Sequence, residues 1–546
     1  MSLAGPAAQQ IEQRSAAHPK PDVRLTYGTA GFRTKASLLE STCFRIGLIG
    51  ALRSKSLGGK VVGLMVTASH NPEADNGVKM VDARGEMLEA SWEPICTAIA
   101  NAATGADLVA ELNRVIEAKG IDMSVPASAV YAYDTRPSSI PLARAMVDGL
   151  EALDTKIIDG GLLTTPQLHY LVLAYNTQNE SKPYGAPTVE GYYAKLAGAY
   201  LALIKGRPLP PPLVVDCANG VGSVALRGLM EHVKDSLVLH PLRTATENTA
   251  ALNNGCGADF VKSKQRLPEG YADEPLVRPG ELLCSFDGDA DRVMFYYLDG
   301  PANEPASFHM LDGDKIASLA ADYLGELVRT AGLDVKIGCV QTAYANGAST
   351  AYLSSRVPIT CTPTGVKHLH HAAEEFDIGV YFEANGHGTV LFSDKALKAI
   401  HAADTVALGP EAASAVAQLA AFSELINQTV GDAVSDMLAV LVILAARGWG
   451  PREWDAMYTD LPNVLVKVAV ADRTQFRTTD AERRVTHPEG LQPRLDEIMA
   501  RYAQGRAFVR PSGTEDCVRV YAEAARPEDV DALARETEAL VRELGN

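Results

Sequence analysis

The chain has 546 residues, enough for three to four domains at roughly 150 residues each. Charged residues make up 21% and apolar ones 47%, ordinary globular proportions that exclude long-range disorder. Lys plus Arg is 50 against 67 for Asp plus Glu, and the net charge of −17 argues against nucleic acid or an anionic membrane surface as the main partner.

An anionic substrate would therefore need a local cluster of Arg and Lys. Met1 to Lys20 holds no apolar core of the length a secretory signal needs. The longest apolar run, Met437 to Ala446, is ten residues, too short to span a bilayer, and predicts a buried helix. The eight cysteines lie no closer than 22 residues apart, which excludes CxxC and zinc-finger spacings. They are expected to be reduced core thiols in a cytoplasmic protein.

In chain order, the first notable element is the glycine-rich turn Tyr27-Gly28-Thr29-Ala30-Gly31-Phe32-Arg33, which delivers a cation. Val61–Val66 predicts a strand running into Thr67-Ala68-Ser69-His70-Asn71-Pro72. Pro72 discourages helix at Asn71, so Ser69 is held on a loop at a strand's C-terminal end, where a nucleophilic or phosphorylated hydroxyl could face a cleft. A turn stabilised by its own Ser and Asn side chains accounts for the same residues without chemistry. Asn76-Gly77-Val78-Lys79 brings a second cation ten residues after Ser69. Leu213–Val215 and Val335–Val340 predict strands that each run into a turn containing Ala-Asn-Gly, with Ser223 and Ser349 shortly after. With the Ser69 loop, this self-similarity suggests three related α/β units carrying sites at strand ends.

Asp287-Gly288-Asp289-Ala290-Asp291-Arg292 lies between predicted strands Leu282–Phe286 and Val293–Leu298. Three carboxylates at alternate positions can wrap one hard cation. An EF-hand fails on three counts: Arg292 stands where Gly is wanted, Leu298 where Glu is wanted, and the flanks are strands. The ion would need a further ligand, and Mg²⁺ bound partly through phosphate fits that deficit. Glu383-Ala384-Asn385-Gly386-His387-Gly388 follows the apolar Ile378–Phe382 and sets a carboxylate, an amide and an imidazole at alternate positions, suited to sugar hydroxyls or an acetamido group.

The last ninety or so residues predict strand, helix, strand, strand, helix: Asn463–Val470, Leu491–Ala503, Ala507–Arg510, Val518–Ala522 and Pro527–Leu544. That order suggests an antiparallel sheet covered on one face. Arg510-Pro511-Ser512-Gly513-Thr514-Glu515 lies between the last two strands, and its hydroxyls, backbone amides and guanidinium make an anion cradle to which Arg519 could add a cation. No Gly-x-x-x-x-Gly-Lys accompanies it. Domains are expected at 1–180, 181–300, 301–455 and 456–546.

Taken together and in order, these motifs resemble the α-D-phosphohexomutase superfamily over nearly the whole chain, one motif per expected domain. The sequence is most similar to the eukaryotic phosphoacetylglucosamine mutases. Asn385 stands where phosphomannomutase/phosphoglucomutase and bacterial phosphoglucosamine mutase members have Ser, and only 36 residues separate Arg33 from Ser69. The resemblance implies four domains around a central active-site cleft, three mixed-sheet α/β and a smaller C-terminal α+β domain whose swing would close it. It implies that Ser69 carries a phosphoryl group and, with Asp287, Asp289 and Asp291, holds one Mg²⁺.

N-acetylglucosamine 6-phosphate and 1-phosphate would then interconvert through a 1,6-bisphosphate, with that or a related hexose 1,6-bisphosphate as primer. Arg510, Ser512, Gly513, Thr514 and Arg519 would grip the phosphate that is not reacting. Glu383, Asn385 and His387 would read the sugar, with Gly365 in Thr362-Pro363-Thr364-Gly365-Val366-Lys367-His368 and Arg292 as further contacts. Arg33, His70 and Lys79 match positions near the reacting oxygen, leaving the general acid/base open. Competing readings are the same chemistry on glucose or mannose phosphates, a haloacid-dehalogenase-type phosphatase with Asp287 as nucleophile, and a non-catalytic sugar-phosphate sensor. The partner expected is a small sugar phosphate, with no nucleic acid and no membrane, and with monomer and homodimer both open.

Overall fold

The computed structural model describes residues 3, 5–29, 31–404, 406–512 and 517–544. The chain divides into two compact units, one of residues 1–310 and 421–450 and the other of 311–420 and 451–546. It builds three mixed α/β sheets and a C-terminal antiparallel sheet, the α/β class expected from the sequence. No described helix is long and apolar enough to cross a membrane.

In the first unit, Val61–Val66 pairs parallel with Ser128–Tyr133, which pairs parallel with Lys156–Leu162. Asp75–Val81 pairs antiparallel with Val61–Val66 and carries Phe32–Lys35 on its other edge, so Arg33 lies opposite Gly77. Val61–Val66 is buried almost throughout, as its unbroken apolar run dictates for a central strand. Helices Glu40–Ser56 and Ser139–Glu151 cover one face and cross closely at two glycines. A Cβ on Gly149 would sit 1.9 Å from the Phe44 carbonyl oxygen, and one on Gly47 would sit 2.1 Å from that of Met146.

The second sheet of this unit has the order Phe308–Leu311, Val293–Leu298, Leu283–Phe286, Leu213–Asp216, Leu239–Leu242. Leu283–Phe286 and Val293–Leu298 are antiparallel neighbours, so the acidic loop 287–292 is the turn of a hairpin whose strands are wholly buried. The apolar run Met437 to Ala446 lies in the buried helix Ala433–Arg447. That helix packs with this unit: the Ala433 N–H donates to the Ala290 carbonyl at 3.0 Å, bracing the acidic loop.

In the second unit, Ile337–Thr342 pairs parallel with Ile359–Thr362 and with Ile378–Phe382, and Gly388–Phe392 closes the sheet antiparallel. The C-terminal sheet places Cys517–Glu523 between Asn463–Ala469 and Arg506–Pro511, all antiparallel, with helices Leu491–Met499 and Pro527–Leu544 packed on it. A short hairpin, Arg477–Thr479 with Arg484–His487, had no signal in the sequence reading. The Asn346 side chain exchanges two hydrogen bonds with the Leu461 backbone, and Arg506, paired with Glu523, donates to the carbonyls of Ala343 and Ala345.

Candidate active site

Ser69 terminates the central strand of the first sheet, buried and at φ 50°, a left-handed conformation that a serine holds only when its surroundings enforce it. Those surroundings are specific. Its N–H donates to Thr67 Oγ1 at 3.0 Å, and Thr67 Oγ1 donates to Asp134 Oδ2 at 2.7 Å. Asp134 pairs with buried Arg136, whose Nη2 donates to the carbonyls of Ser69 at 3.1 Å and Asn71 at 2.6 Å. Asn253 Nδ2 donates to the same two carbonyls at 2.9 and 3.2 Å. Gly288 of the acidic loop comes so close that a Cβ there would sit 2.6 Å from the Ser69 oxygen.

That approach sets Ser69 Oγ 2.6 Å from Asp287 Oδ2, to which it donates. Asp287, Asp289 and Asp291 are buried, and one ligand oxygen from each falls within 4.8 Å of the others. Lys79 Nζ lies 3.2 Å from Asp289 Oδ2 and 3.4 Å from Asp291 Oδ2. Arg292 Nε is 3.8 Å from Asp287 Oδ2 and 3.7 Å from Asp291 Oδ1. Thr165 braces the loop, its Oγ1 donating to Asp289 Oδ2 at 2.6 Å and its N–H to the Asp289 carbonyl.

Burial, then the charges of Asp291 and Asp289, push the Asp287 carboxyl well above its ordinary range, against Arg292 and the Ser69 hydrogen bond. Burial pulls Lys79 down, but Asp289 and Asp291 outweigh it and hold the ammonium charged. Burial and the cations Arg292 and Arg33 lower the His70 imidazole to about 2, so it is neutral, and its buried Nδ1 has no hydrogen-bond partner among the described residues. Burial and Arg292 also lower Arg33, whose Nη1 donates to Asn71 Oδ1 at 3.3 Å. Three buried carboxylates against two cations, with Asp289 Oδ1 buried and unpartnered among the described residues, form an all-oxygen donor set that fits a hard divalent cation.

The second unit carries the remaining residues. Glu383 to His387 form the turn between Ile378–Phe382 and Gly388–Phe392, with Gly386 at φ 85°. Asn385 holds that turn from within: Oδ1 accepts the His387 N–H at 3.0 Å, and Nδ2 donates to Glu383 Oε2 at 3.2 Å. Gly365, at φ 130°, caps the helix Val366–Ala373, a conformation that requires glycine.

The antiparallel register sets Arg510 directly opposite Arg519, and Arg519 directly opposite Lys467 on the other side. Three cations thus form one row across three strands. Like charges at opposed positions destabilise a sheet; Glu482 supplies an anion to Arg510, and the row is a candidate for holding an anionic group. Ser512, buried, donates its N–H to the Cys517 carbonyl at 2.9 Å, while Gly513 and Thr514 lie outside the described residues.

Glu482, at φ 68° in the short hairpin, accepts Arg510 Nε at 2.7 Å and, on its other oxygen, the Thr364 N–H and Oγ1 at 2.9 and 2.6 Å. It therefore ties the Gly365 loop to Arg510. Arg136, Asn253, Thr165, Lys467 and Glu482 all escaped the sequence reading. Only Arg136 offered a signal, because Asp134-Thr135-Arg136-Pro137 follows an apolar strand much as the Ser69 loop does.

Residues 51–107 and 101–180 match the phosphoglucomutase/phosphomannomutase alpha/beta/alpha domain I, and 465–540 match that family's C-terminal domain. Residues 185–294 and 312–449 match domains II and III of phosphoacetylglucosamine mutase AMG1. The phosphoacetylglucosamine mutase of Sus scrofa is 49% identical over 538 residues, covering 97% of this chain and 96% of that one. The structure of Aspergillus fumigatus N-acetylphosphoglucosamine mutase in complex with GlcNAc-6P and magnesium aligns over 100% of both chains, with TM-score 0.94 and 47% identity. A variant of that enzyme in complex with glucose 1,6-bisphosphate aligns over 100% of both chains at 46% identity and TM-score 0.92. Four domains with this serine and acidic loop define a phosphohexomutase, an isomerase that moves a phosphoryl group. Within that class, the chain belongs to the phosphoacetylglucosamine mutase family.

Proposed function

We propose that this chain interconverts N-acetylglucosamine 6-phosphate and N-acetylglucosamine 1-phosphate through a phosphoserine at Ser69 and a 1,6-bisphosphate. The observation that carries the reading is the buried Ser69 hydroxyl 2.6 Å from Asp287 in a three-carboxylate cluster. Asp287, Asp289 and Asp291 would hold Mg²⁺, which would supply charge neutralisation for a phosphoryl group in transfer.

The chain's own residues do the rest. When phosphorylated Ser69 gives up its phosphoryl group, the bond from phosphorus to Oγ breaks and one to the free sugar hydroxyl forms. The sugar oxygen loses a proton and Oγ gains one, so the step is balanced; in the structure that proton is held on Oγ, donated to Asp287 Oδ2. Lys79 and Arg33 add positive charge to the transferring group, and neutral His70 lies beside it without adding to that charge. The bisphosphate turns end for end, and Ser69 recovers the other phosphate. Arg510, Arg519, Ser512, Gly513 and Thr514 grip the phosphate that is not reacting, and Glu383, Asn385, His387 and Gly365 read the sugar.

The domains are 1–180 with the serine loop, 181–300 with the metal loop, 301–455 with the sugar loop and 456–546 with the phosphate loop. Each family-model match lies inside one of these segments, although the strand Phe308–Leu311 joins the sheet of 181–300 and residues 421–450 pack with the first unit. Eight free cysteines, seven of them buried, support a cytoplasmic setting.

The deciding experiment compares kcat/KM for N-acetylglucosamine 1-phosphate and glucose 1-phosphate, with Mg²⁺ and a trace of bisphosphate primer. The expected preference for the acetylated sugar is tenfold or more, about 1.4 kcal/mol in the transition state. Equal or reversed preference would make this a general phosphohexomutase.

A further inference from the structure

The strand Ile337–Thr342 runs into Ala343-Tyr344-Ala345-Asn346-Gly347, the second of the two turns that share Ala-Asn-Gly. The first, Ala218-Asn219-Gly220, backs the acidic loop, since the N–H of Val221 just after it donates to the Gly288 carbonyl at 3.1 Å. The second meets the C-terminal sheet.

Directly opposed residues of an antiparallel pair share a face, as do alternate residues along each strand. Arg506 opposite Glu523, Phe508 opposite Tyr521 and Arg510 opposite Arg519 are therefore three successive rungs on one face. The other face, with Ala507, Val509, Val518 and Val520, is buried in the core of this sheet.

Each rung engages the turn. Arg506 is paired with Glu523 through Nε at 2.8 Å and Nη2 at 2.9 Å. It also donates to the Ala343 carbonyl at 2.8 Å and to the Ala345 carbonyl at 2.6 Å. Those carbonyls flank Tyr344 in the chain, so the backbone is fixed on both sides of it. On the next rung the Tyr344 ring stands edge-on to Phe508 and Tyr521, with centroids 5.0 and 5.9 Å away. On the third rung its hydroxyl lies against Arg510, in the field of Arg519.

Burial raises the Tyr344 phenol against the pull of those two cations, so the hydroxyl keeps its proton at neutral pH. The hydroxyl is buried, and no acceptor among the described residues takes that proton. Guanidinium groups only donate. Glu482 faces the hydroxyl too, but one of its oxygens is on Arg510 and the other on Thr364. A buried donor left unpaired is costly. A phosphate, whose oxygens all accept, satisfies the hydroxyl and both guanidiniums together.

We propose that Tyr344 is a binding residue for the phosphate that is not reacting, its hydroxyl donating to a phosphate oxygen held by Arg510 and Arg519. The inference rests on the reading that gives those two arginines to that phosphate. Tyr344 adds a neutral donor whose direction is set by the Arg506 bonds and by the two rings. The site thereby reads where the phosphate oxygens lie as well as their charge.

The test measures the dissociation constant of N-acetylglucosamine 6-phosphate for the full-length chain with Mg²⁺, in a Ser69→Ala background that cannot turn the ligand over. Tyr344→Phe removes the hydroxyl and keeps the ring. It should weaken binding about tenfold, about 1.4 kcal/mol, and leave the melting temperature unchanged. Arg510→Ala, measured alongside, should weaken binding at least as much. Unchanged affinity in Tyr344→Phe, with affinity lost in Arg510→Ala, would overturn the proposal and leave the phosphate reading standing. Unchanged affinity in both would remove the phosphate site from these strands, and the proposal with it. A loss in Tyr344→Phe that came with a fallen melting temperature would also overturn it, because the hydroxyl would then be holding the sheet and not the ligand.

Discussion

Glu482→Gln isolates the contribution of a residue that touches neither metal nor reacting oxygen. The carboxylate accepts Arg510 Nε on one oxygen and two hydrogen bonds from Thr364 on the other. Burial alone would raise Glu482, yet the bonds from Thr364 and Arg510 hold its carboxyl below the ordinary range, so it is ionised at neutral pH. A carboxamide has one acceptor oxygen, so the variant must abandon either Arg510 or Thr364. Hydrogen bonds to a charged group contribute about 1.5–3 kcal/mol. With side-chain exposures of 21% for Arg510 and 17% for Glu482, solvent screening puts this one at the lower end. About 1.5 kcal/mol corresponds to roughly tenfold in affinity.

The expected outcome is a KM for N-acetylglucosamine 6-phosphate raised about tenfold with kcat little changed, since on the proposed reading Arg510 grips the phosphate that is not reacting. Arg510→Ala should raise KM by at least as much, and the double variant by no more than Arg510→Ala alone. Additive effects would refute the view that Glu482 acts through Arg510. A lowered KM would show instead that its carboxylate competes with the phosphate. An unchanged KM in Arg510→Ala would move the phosphate site elsewhere.

Three other outcomes are expected. Ser69→Ala should retain fold and Mg²⁺ affinity but lose at least ~10³-fold in turnover, measured with primer present; near-normal activity would rule out the phosphoserine. In wild-type protein stripped with chelator, Mg²⁺ at a hundred times its dissociation constant should stabilise the fold by about 2.7 kcal/mol in thermal melts. Asp289→Asn should shrink that response and lose activity that excess metal partly restores, and an undiminished response would refute the ligand assignment. Asp436→Asn should raise the melting temperature more at pH 8 than at pH 5. Burial and neighbouring Asp432 push the Asp436 carboxyl well above its ordinary range, and its Oδ1 is buried without a partner among the described residues. A raised acid stabilises the fold below its unfolded pKa, and that contribution is lost as pH rises through its folded value, whereas asparagine has no charge to bury. A difference independent of pH would refute it.

The chain's candidate site loops were legible in the sequence because the chemistry proposed there demands local composition. The strand Val61–Val66 and the hairpin strand Val293–Leu298 fall where the apolar runs place them, since a buried strand needs little beyond its own side chains to declare itself. The alternating aspartates and the small residues between them fit the wrapping of one cation. Gly288 has a further cause that only packing reveals, the Ser69 carbonyl 2.6 Å from where its Cβ would be. Helix Leu491–Met499 ends four residues short of the periodic pattern, because periodicity marks which face is apolar better than where the backbone turns away.

What the tertiary structure decided is which distant residues support those loops. Asn253 reaches the Ser69 carbonyl across 184 positions of sequence, and Thr165 reaches Asp289 across 124. Glu482 finds Arg510 and Thr364 only because a short hairpin with no sequence signature holds it at positive φ. The row of Lys467, Arg519 and Arg510 exists only through antiparallel register. Residues 421–450 fold with the first unit, where Ala433 meets the acidic loop. A loop's composition is local and can be read in order. A hydrogen bond between residues a hundred or more positions apart depends on how whole sheets and helices pack, and neither residue carries a trace of it in its own neighbours.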